Sequence, residues 1–283
     1  MYREQALTFD CNGACLFGIA TLPEQPASRG VLIVVGGPQY RVGSHRQFAL
    51  LARGLAAQGI AAMRFDYRGM GDSDGEARTF EDVDEDLRVA IDHFMAAVPA
   101  MTDVVIWGLC DAASAALFYG GQDARVSGLV LLNPWVRTSG GLAKATLKHY
   151  YRDRLLQPEL WRKILKGRFE YKKAIGSFSR LLRTALGARK AAPAAGIDRA
   201  LPLPERMRAG LAGFEGRVLL VLSGNDLTAQ EFSDLSQGSP EWQQLLGSAK
   251  VTRQKLAAAD HTFSRRAWRD QVTSWTGDWL KSW

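Results

Sequence analysis

Apolar residues in the first half of the chain follow two alternating patterns. Short apolar runs, each typical of a β-strand, occur at 13–21, 31–35, 61–65, 104–107 and 129–132. Between these runs the apolar residues recur every three or four positions, as at Phe48, Leu51 and Leu55, which predicts helices. Strands that alternate with helices in this way predict a mostly parallel sheet with helices on both faces.

The pattern changes between residues 136 and 213. Strand signals stop there, and the segment becomes helical, basic and aromatic. Strand-like runs resume at 217–222 and near 250–256. We therefore predict one α/β core made of residues 1–135 and 214–283, into which 136–213 is inserted.

The end of the chain and the cofactor motifs add little chemistry. Trp268, Val272, Trp275 and Trp279 share one face of a predicted C-terminal helix, and we interpret this stripe as packing against the sheet. The sequence contains no zinc-ligand spacing, P-loop or complete dinucleotide fingerprint. We expect neither a metal nor an organic cofactor.

Composition excludes several classes of protein. The chain has 283 residues, 47% hydrophobic and 23% charged, which excludes collagen-like and wholly disordered proteins. No apolar run approaches the roughly 18 residues that span a bilayer, and the N-terminus lacks a secretory-signal pattern. Three cysteines are too few for a disulfide framework in a chain of this length. We expect a cytoplasmic protein without a transmembrane segment.

The net charge of +7 is concentrated in one part of the chain. Residues 144–190 hold 14 Lys and Arg against three acidic residues, so the remainder is net negative. No nucleic-acid-binding module accompanies this charge, and we exclude nucleic acid as a partner. Two interpretations stay open: a solvated surface, or attraction of a polyanion such as coenzyme A, an acyl-carrier protein, an acidic saccharide or an anionic lipid.

The strongest catalytic candidate is Cys110, which follows an apolar strand and precedes a helix. A nucleophile on such a turn is held in a strained backbone conformation that exposes its side chain. Gly108 and Ala112, two residues to either side, are small enough for this turn. The helix N-terminus favours a thiolate. The alternative is that Cys110 is a small buried residue, as we expect for Cys11 and Cys15.

A thiol nucleophile needs a base, and the chain has four histidines. His261 follows the last predicted strand and precedes the terminal helix, so we choose it as the base. His93 lies within a helix and His149 in the basic insertion, and we expect neither to act. His45 lies near the predicted sheet edge and is a candidate substrate contact.

An imidazole base also needs an orienting carboxylate. Asp226 directly follows the strand at 217–222, and Asp234 is the second choice. The nucleophile, acid and histidine then each follow a successive strand, which is the chain order of the α/β-hydrolase triad.

The chain resembles the α/β-hydrolase superfamily over nearly its whole length. Residues 66–73, Asp-Tyr-Arg-Gly-Met-Gly-Asp-Ser, match a segment that follows the fourth strand in many members. Gly36-Gly37-Pro38 matches the oxyanion loop. Residues 34–41, 108–111 and 260–264 are more closely similar to the exosortase A system-associated hydrolase, type 1. That group is found with bacterial exopolysaccharide and protein-sorting gene clusters.

The resemblance implies a site and a mechanism. The oxyanion would bind the Asp111 backbone N–H and one from the loop. Pro38 has no N–H, so we choose Gly37 first and Gln39 second. Tyr40 joins His45 as a candidate substrate contact, and the insertion takes the position of a lid. The chain departs from most members in having cysteine instead of serine, and Ala112 where glycine is usual.

These observations predict a cysteine-dependent acyl hydrolase or acyltransferase. Its substrate would be a small ester or thioester, attacked by Cys110 to give an acyl-enzyme. The alternative from another class is a catalytically idle α/β-hydrolase scaffold that acts as an interaction protein.

Overall fold

A computed structural model of the chain describes residues 1–37, 39–136 and 201–283. Most of the predicted insertion lies outside these residues, and so do Pro38, His149 and the basic segment 144–190. The lid and its charge therefore stay predictions.

The described residues form eight strands and a series of helices. The strands are β1 (Tyr2–Cys11), β2 (Ala14–Pro23), β3 (Arg29–Val34), β4 (Ala62–Asp66), β5 (Asp103–Leu109), β6 (Val126–Leu132), β7 (Arg217–Ser223) and β8 (Val251–Leu256). The α-helices are α1 (Gln47–Ala56), α2 (Asp84–Ala97), α3 (Asp111–Tyr119), α4 (Leu203–Gly213), α5 (Leu227–Gln237), α6 (Pro240–Leu246) and α7 (Arg266–Lys281). Short 3-10 turns cover Ser44–Arg46 and Gly120–Gln122.

The strands form one sheet in the order β1-β2-β4-β3-β5-β6-β7-β8. The pairs from β4 to β8 are parallel, while β1–β2 and β2–β4 are antiparallel. The predicted mostly parallel sheet is confirmed. Its antiparallel edge begins with β1, which sequence reasoning did not identify as a strand, because much of it is exposed and carries no apolar run.

Alternation along β3 explains how the sheet holds a core on each face. Leu32 and Val34 pack with α2 and α3, while Val31, Ile33 and Val35 pack with α1 and α7. Because both faces are covered, the inner strands are continuous apolar runs instead of alternating ones. The tryptophan stripe of α7 packs into the core on the face of the sheet that α1 and α7 cover, as predicted.

The end of the predicted insertion is described and lies on the core. Helix α4 buries Met207 and Leu211 in the core on the face of the sheet that α2 and α3 cover. Gly210 approaches α3 so closely that a Cβ there would come within 2.2 Å of the Leu117 carbonyl oxygen. Residues 203–213 are thus packed on the body of the protein. None of the described helices is long and apolar enough to span a membrane.

Candidate active site

The C-terminal ends of four neighbouring parallel strands bring the candidate residues together. Cys110 follows β5, Asn133 follows β6, Asp226 comes shortly after β7 and His261 after β8. Because parallel strands all end at the same edge of a sheet, residues far apart in sequence meet there.

Cys110 occupies a strained turn between β5 and α3. Its φ of 64° and ψ of −124° lie where a residue with a Cβ rarely sits. The turn is fixed by Cys110 N–H donating to the Leu132 carbonyl at 2.9 Å and by its own carbonyl accepting from Ala113 and Trp135. Gly108 is required, since a Cβ there would lie 2.5 Å from the Ala112 carbonyl oxygen. The predicted elbow geometry is therefore present.

His261 and Asp226 form a close pair. Nδ1 of His261 lies 2.9 Å from Oδ2 of Asp226. A carboxylate can only accept, so Nδ1 carries the proton and Nε2 remains for another partner. Asp226 is itself fixed, because its side chain caps α5 by accepting the N–H groups of Thr228 and Ala229. The same carboxylate therefore begins a helix and orients the imidazole.

The Cys110 thiol lies near the same ring and acts on its pKa. Burial lowers the pKa of His261, but the hydrogen bond with Asp226, the neighbouring Cys110 thiol and the charges of these two groups outweigh burial and raise the pKa to about 10. An imidazolium is therefore the stable form of His261 at neutral pH.

The buried side-chain amide of Asn133 supports the backbone around His261. Asn133 is fully buried at a φ of 43°. Its side chain donates to Ser223 Oγ at 2.8 Å and to the His261 carbonyl at 3.0 Å, and accepts the Ser223 N–H at 2.8 Å. Ser223 Oγ in turn donates to the Asp260 carbonyl at 2.8 Å. Sequence reasoning missed this network, since one Asn after a strand carries no distinctive signal.

The segment 66–73 anchors the loop that precedes α1. Asp66 is fully buried and accepts the backbone N–H of Arg41 at 2.6 Å, and it also pairs with the Arg41 guanidinium. Asp72 N–H donates to the same carboxylate at 3.2 Å. Gly71 is needed because a Cβ there would lie 2.3 Å from Asp66 Oδ2. The motif therefore holds the end of the oxyanion loop against the sheet.

The predicted oxyanion donors already have partners. Gly37 N–H donates to Asp111 Oδ1 at 2.7 Å, and Gln39 N–H donates to the Gly37 carbonyl at 2.8 Å. Burial raises the pKa of the Asp111 carboxyl, and the nearby backbone N–H groups of Gly37, Ala112 and Asp111 itself oppose that rise. The roles of Gly37, Gln39 and the Asp111 N–H as oxyanion donors stay predictions, and in this conformation the Gly37 N–H is bound to the Asp111 side chain.

The remaining candidates occupy different surroundings. Tyr40 is exposed beside Arg41. Burial raises the pKa of the Asp260 carboxyl, but hydrogen bonds from Ser264 and the backbone of Thr262, together with nearby His45, outweigh burial and lower it. The substrate contacts of Tyr40 and His45 stay predictions. Asp234 lies in the last turn of α5, away from the strand end that carries Asp226.

The other histidine and cysteine residues fit structural interpretations. His93 stacks on Phe9 with ring centroids 5.0 Å apart. Cys11 is buried, and Cys15 is a free, half-buried residue of β2. Within residues 1–37, 39–136 and 201–283, no group of three or more His, Cys, Asp or Glu side chains is arranged to hold a metal ion.

Comparison with known proteins gives one partial family match. Residues 26–165, just under half of the chain, match the model of a family described as serine aminopeptidase, S33. No functionally curated protein matches the chain in sequence.

Solved structures match over nearly the full length. An esterase of Pyrococcus furiosus is 14% identical with a TM-score of 0.66, and the match covers 100% of this chain and 93% of that one. Est1E of Butyrivibrio proteoclasticus, solved with ferulic acid bound, is 14% identical with a TM-score of 0.62 and 98% coverage of both chains. An alpha-beta serine hydrolase homologue of Coxiella burnetii is 14% identical with a TM-score of 0.58, covering 98% of this chain and 97% of its own. The chain therefore has the α/β-hydrolase fold.

Proposed function

We propose that this protein is a cysteine-dependent acyl hydrolase or acyltransferase that acts on small esters or thioesters. The observation that supports it best is the hydrogen-bonded pair of His261 and Asp226 at the sheet edge where Cys110 occupies its strained turn, near enough for the thiol to act on the pKa of the imidazole. Nucleophile, base and orienting acid in mutual contact are the requirement for covalent acyl transfer.

In the acylation step the proton shared by Cys110 and His261 resides on His261 Nε2, and the Cys110 sulfur attacks the acyl carbonyl carbon. A carbon–sulfur bond forms, and the carbonyl oxygen becomes an oxyanion. When this intermediate collapses, the bond to the leaving alcohol or thiol breaks, and the His261 imidazolium returns the proton to the leaving group. Asp226 stabilises the imidazolium throughout.

In the deacylation step His261 removes a proton from water, and the oxygen attacks the thioester carbonyl. The carbon–sulfur bond breaks, a carboxylic acid leaves, and the thiol is restored. An alcohol, amine or thiol in place of water gives acyl transfer. Because thioesters exchange readily with such acceptors, a sulfur nucleophile is compatible with both outcomes.

The finer assignments belong to the same proposal. Esterase structures of the same fold favour a small ester substrate, and the free thiol at residue 110 favours a reducing, cytoplasmic location. A coenzyme A or acyl-carrier substrate would depend on the basic segment 144–190. The resemblance to exosortase-associated hydrolases suggests a role in bacterial exopolysaccharide or protein-sorting systems.

Intact-mass analysis tests the nucleophile directly. The protein is incubated with p-nitrophenyl acetate or an acetyl thioester and digested to locate the adduct. We expect an acetyl group on Cys110, loss of adduct and turnover in Cys110→Ala, and full activity in the matched control Cys15→Ala. If the folded wild-type protein forms no adduct, and its Cys110 reacts with iodoacetamide no faster than Cys15, the result would instead support the idle scaffold. Undiminished turnover by Cys110→Ala would exclude Cys110 as the nucleophile.

A further inference from the structure

The Asp111 carboxylate lies where an oxyanion would have to bind. It accepts Gly37 N–H at 2.7 Å from the loop after β3. The Asp111 and Ala112 N–H groups at the start of α3 lie near the same carboxylate and favour its charged form. These donors come from the nucleophile turn and from the opposing loop. They include both groups that acylation at Cys110 would use to hold a negatively charged oxygen.

The backbone is shaped around this carboxylate. A Cβ at Gly36 would lie 2.4 Å from Asp111 Oδ1, so the side chain fits there because residue 36 is glycine. The group is half-buried, and the charged or titratable side chains that act on it are Tyr67 and His261. The donor that holds it, Gly37 N–H, is a main-chain group of the loop that follows β3. The position therefore suits an anion, and in this structure that anion is the Asp111 carboxylate.

An occupied position of this kind opposes catalysis in two ways. A donor already bound to a carboxylate is not available to the carbonyl oxygen of a substrate. A negative charge at this point also repels the negative charge that develops on that oxygen. Removal of a single oxyanion donor typically slows acyl transfer by roughly 10²–10³-fold, so occupation of the Gly37 N–H alone is a large effect.

We propose that Asp111 closes the oxyanion hole with its own side chain, and that acylation requires this side chain to rotate away. This inference rests on the proposed function, since it concerns the same nucleophile. It makes Asp111 an autoinhibitory residue of the site. The thiol–imidazole pair is formed in the closed conformation, whereas the stabilisation of the tetrahedral intermediate is withheld until the carboxylate leaves.

Two reactions of the Cys110 thiol distinguish the reactivity of the thiol from the availability of the oxyanion hole. Alkylation by iodoacetamide needs a reactive Cys110 but forms no oxyanion. Acylation by p-nitrophenyl acetate needs the same thiol and an open oxyanion hole. The ratio of the acylation rate to the alkylation rate therefore reports on the hole, and it cancels any change in the thiolate population that follows from removing a charge near His261.

The experiment compares the wild-type chain with Asp111→Asn and Asp111→Ala, using single-turnover acylation and alkylation of Cys110. We expect the ratio to rise by about tenfold or more in Asp111→Ala, since the Gly37 N–H is released and the negative charge is removed. Asp111→Asn should give an intermediate rise, because an amide oxygen still accepts N–H groups but carries no full charge. This near-isosteric variant also gives a result if the alanine variant does not fold.

The outcomes are distinguishable. A ratio that is unchanged or lower in both variants, with wild-type acylation intact, would overturn the role of Asp111 and leave the proposed function in place. If Cys110 is alkylated in all three proteins but none is acylated, both the proposed function and this inference fail.

Discussion

Asn133 donates its side-chain amide to the main-chain carbonyl of His261 at 3.0 Å. The two residues are 128 positions apart in the chain, yet this contact fixes the backbone of the candidate base from inside the protein. The imidazole is thus held at two points, by the Asn133 network beneath its backbone and by Asp226 at its ring. Catalytic geometry needs this kind of support because the reacting atoms must stay aligned.

Removal of the Asn133 amide should destabilise the protein. Asn133→Ala deletes two buried hydrogen bonds and one part-buried hydrogen bond at a positive φ, and we expect a loss of about 2–4 kcal/mol of unfolding free energy. Asn133→Gly removes the same bonds without the backbone penalty at φ 43°. Urea unfolding should therefore show the glycine variant to be the more stable of the two. The reverse order would mean that the positive φ carries no strain.

Ser223→Ala is a milder test of the same network. It deletes the hydroxyl that accepts from Asn133 and donates to Asp260, but keeps the strand intact. We expect a cost of about 1–2 kcal/mol. A loss as large as that of Asn133→Ala would show that the hydroxyl, not the amide, is the centre of the network.

The two roles of Asp226 can be separated. Asp226→Asn keeps a good helix cap for α5 but places no negative charge beside His261. Esterase activity should fall by at least ~10²-fold in this variant. Asp226→Ala should lose similar activity and about 1 kcal/mol more stability, because it removes the cap as well. Equal stability of the two variants would exclude a capping role.

The pH dependence of stability should report on the His261 pair. Its pKa rises from 6.5 to about 10 on folding. A group whose pKa is raised in the folded state stabilises fully below its unfolded pKa and loses that effect as the pH rises through the folded value. The advantage of the wild-type chain over His261→Gln should therefore shrink between pH 6.5 and pH 10. Unfolding free energies measured across that range check this directly.

Cys110→Ala provides the control for this pH series. Removing the thiol removes one of the groups that raise the pKa of His261. In the Cys110→Ala background, the chain that keeps His261 should lose its advantage in unfolding free energy over the Cys110→Ala, His261→Gln double variant at a lower pH. A constant difference across the whole range in both backgrounds would mean that the imidazole titrates normally.

Backbone strain at the candidate nucleophile predicts a conflict between stability and activity. Cys110 has a φ of 64°, which glycine adopts without penalty and alanine does not. Cys110→Gly should be more stable than Cys110→Ala by about 1 kcal/mol, while both lack esterase activity. Thermal unfolding and an ester assay on the two variants measure the two effects. A less stable glycine variant would show that the turn is not strained.

The sequence by itself identified the sheet and the positions where chemistry was to be expected. Runs such as residues 104–107 and 129–132 are buried on both faces, so their apolar character is continuous and easily recognised. The order of Cys110, Asp226 and His261, each after a strand, indicated their common edge because parallel strands end together. The strand β1 escaped detection, since an exposed edge strand needs no apolar run.

Side-chain orientation was decided only by the tertiary structure. That Asp111 would turn its carboxylate onto Gly37 N–H depends on the space above Gly36, and Asn133 reaches Ser223 and His261 only once β6, β7 and β8 lie side by side. Local spacing records which residues are small, apolar or charged. It does not record which buried donors and acceptors will face one another, because those partners come from distant parts of the chain and meet only when the sheet has formed.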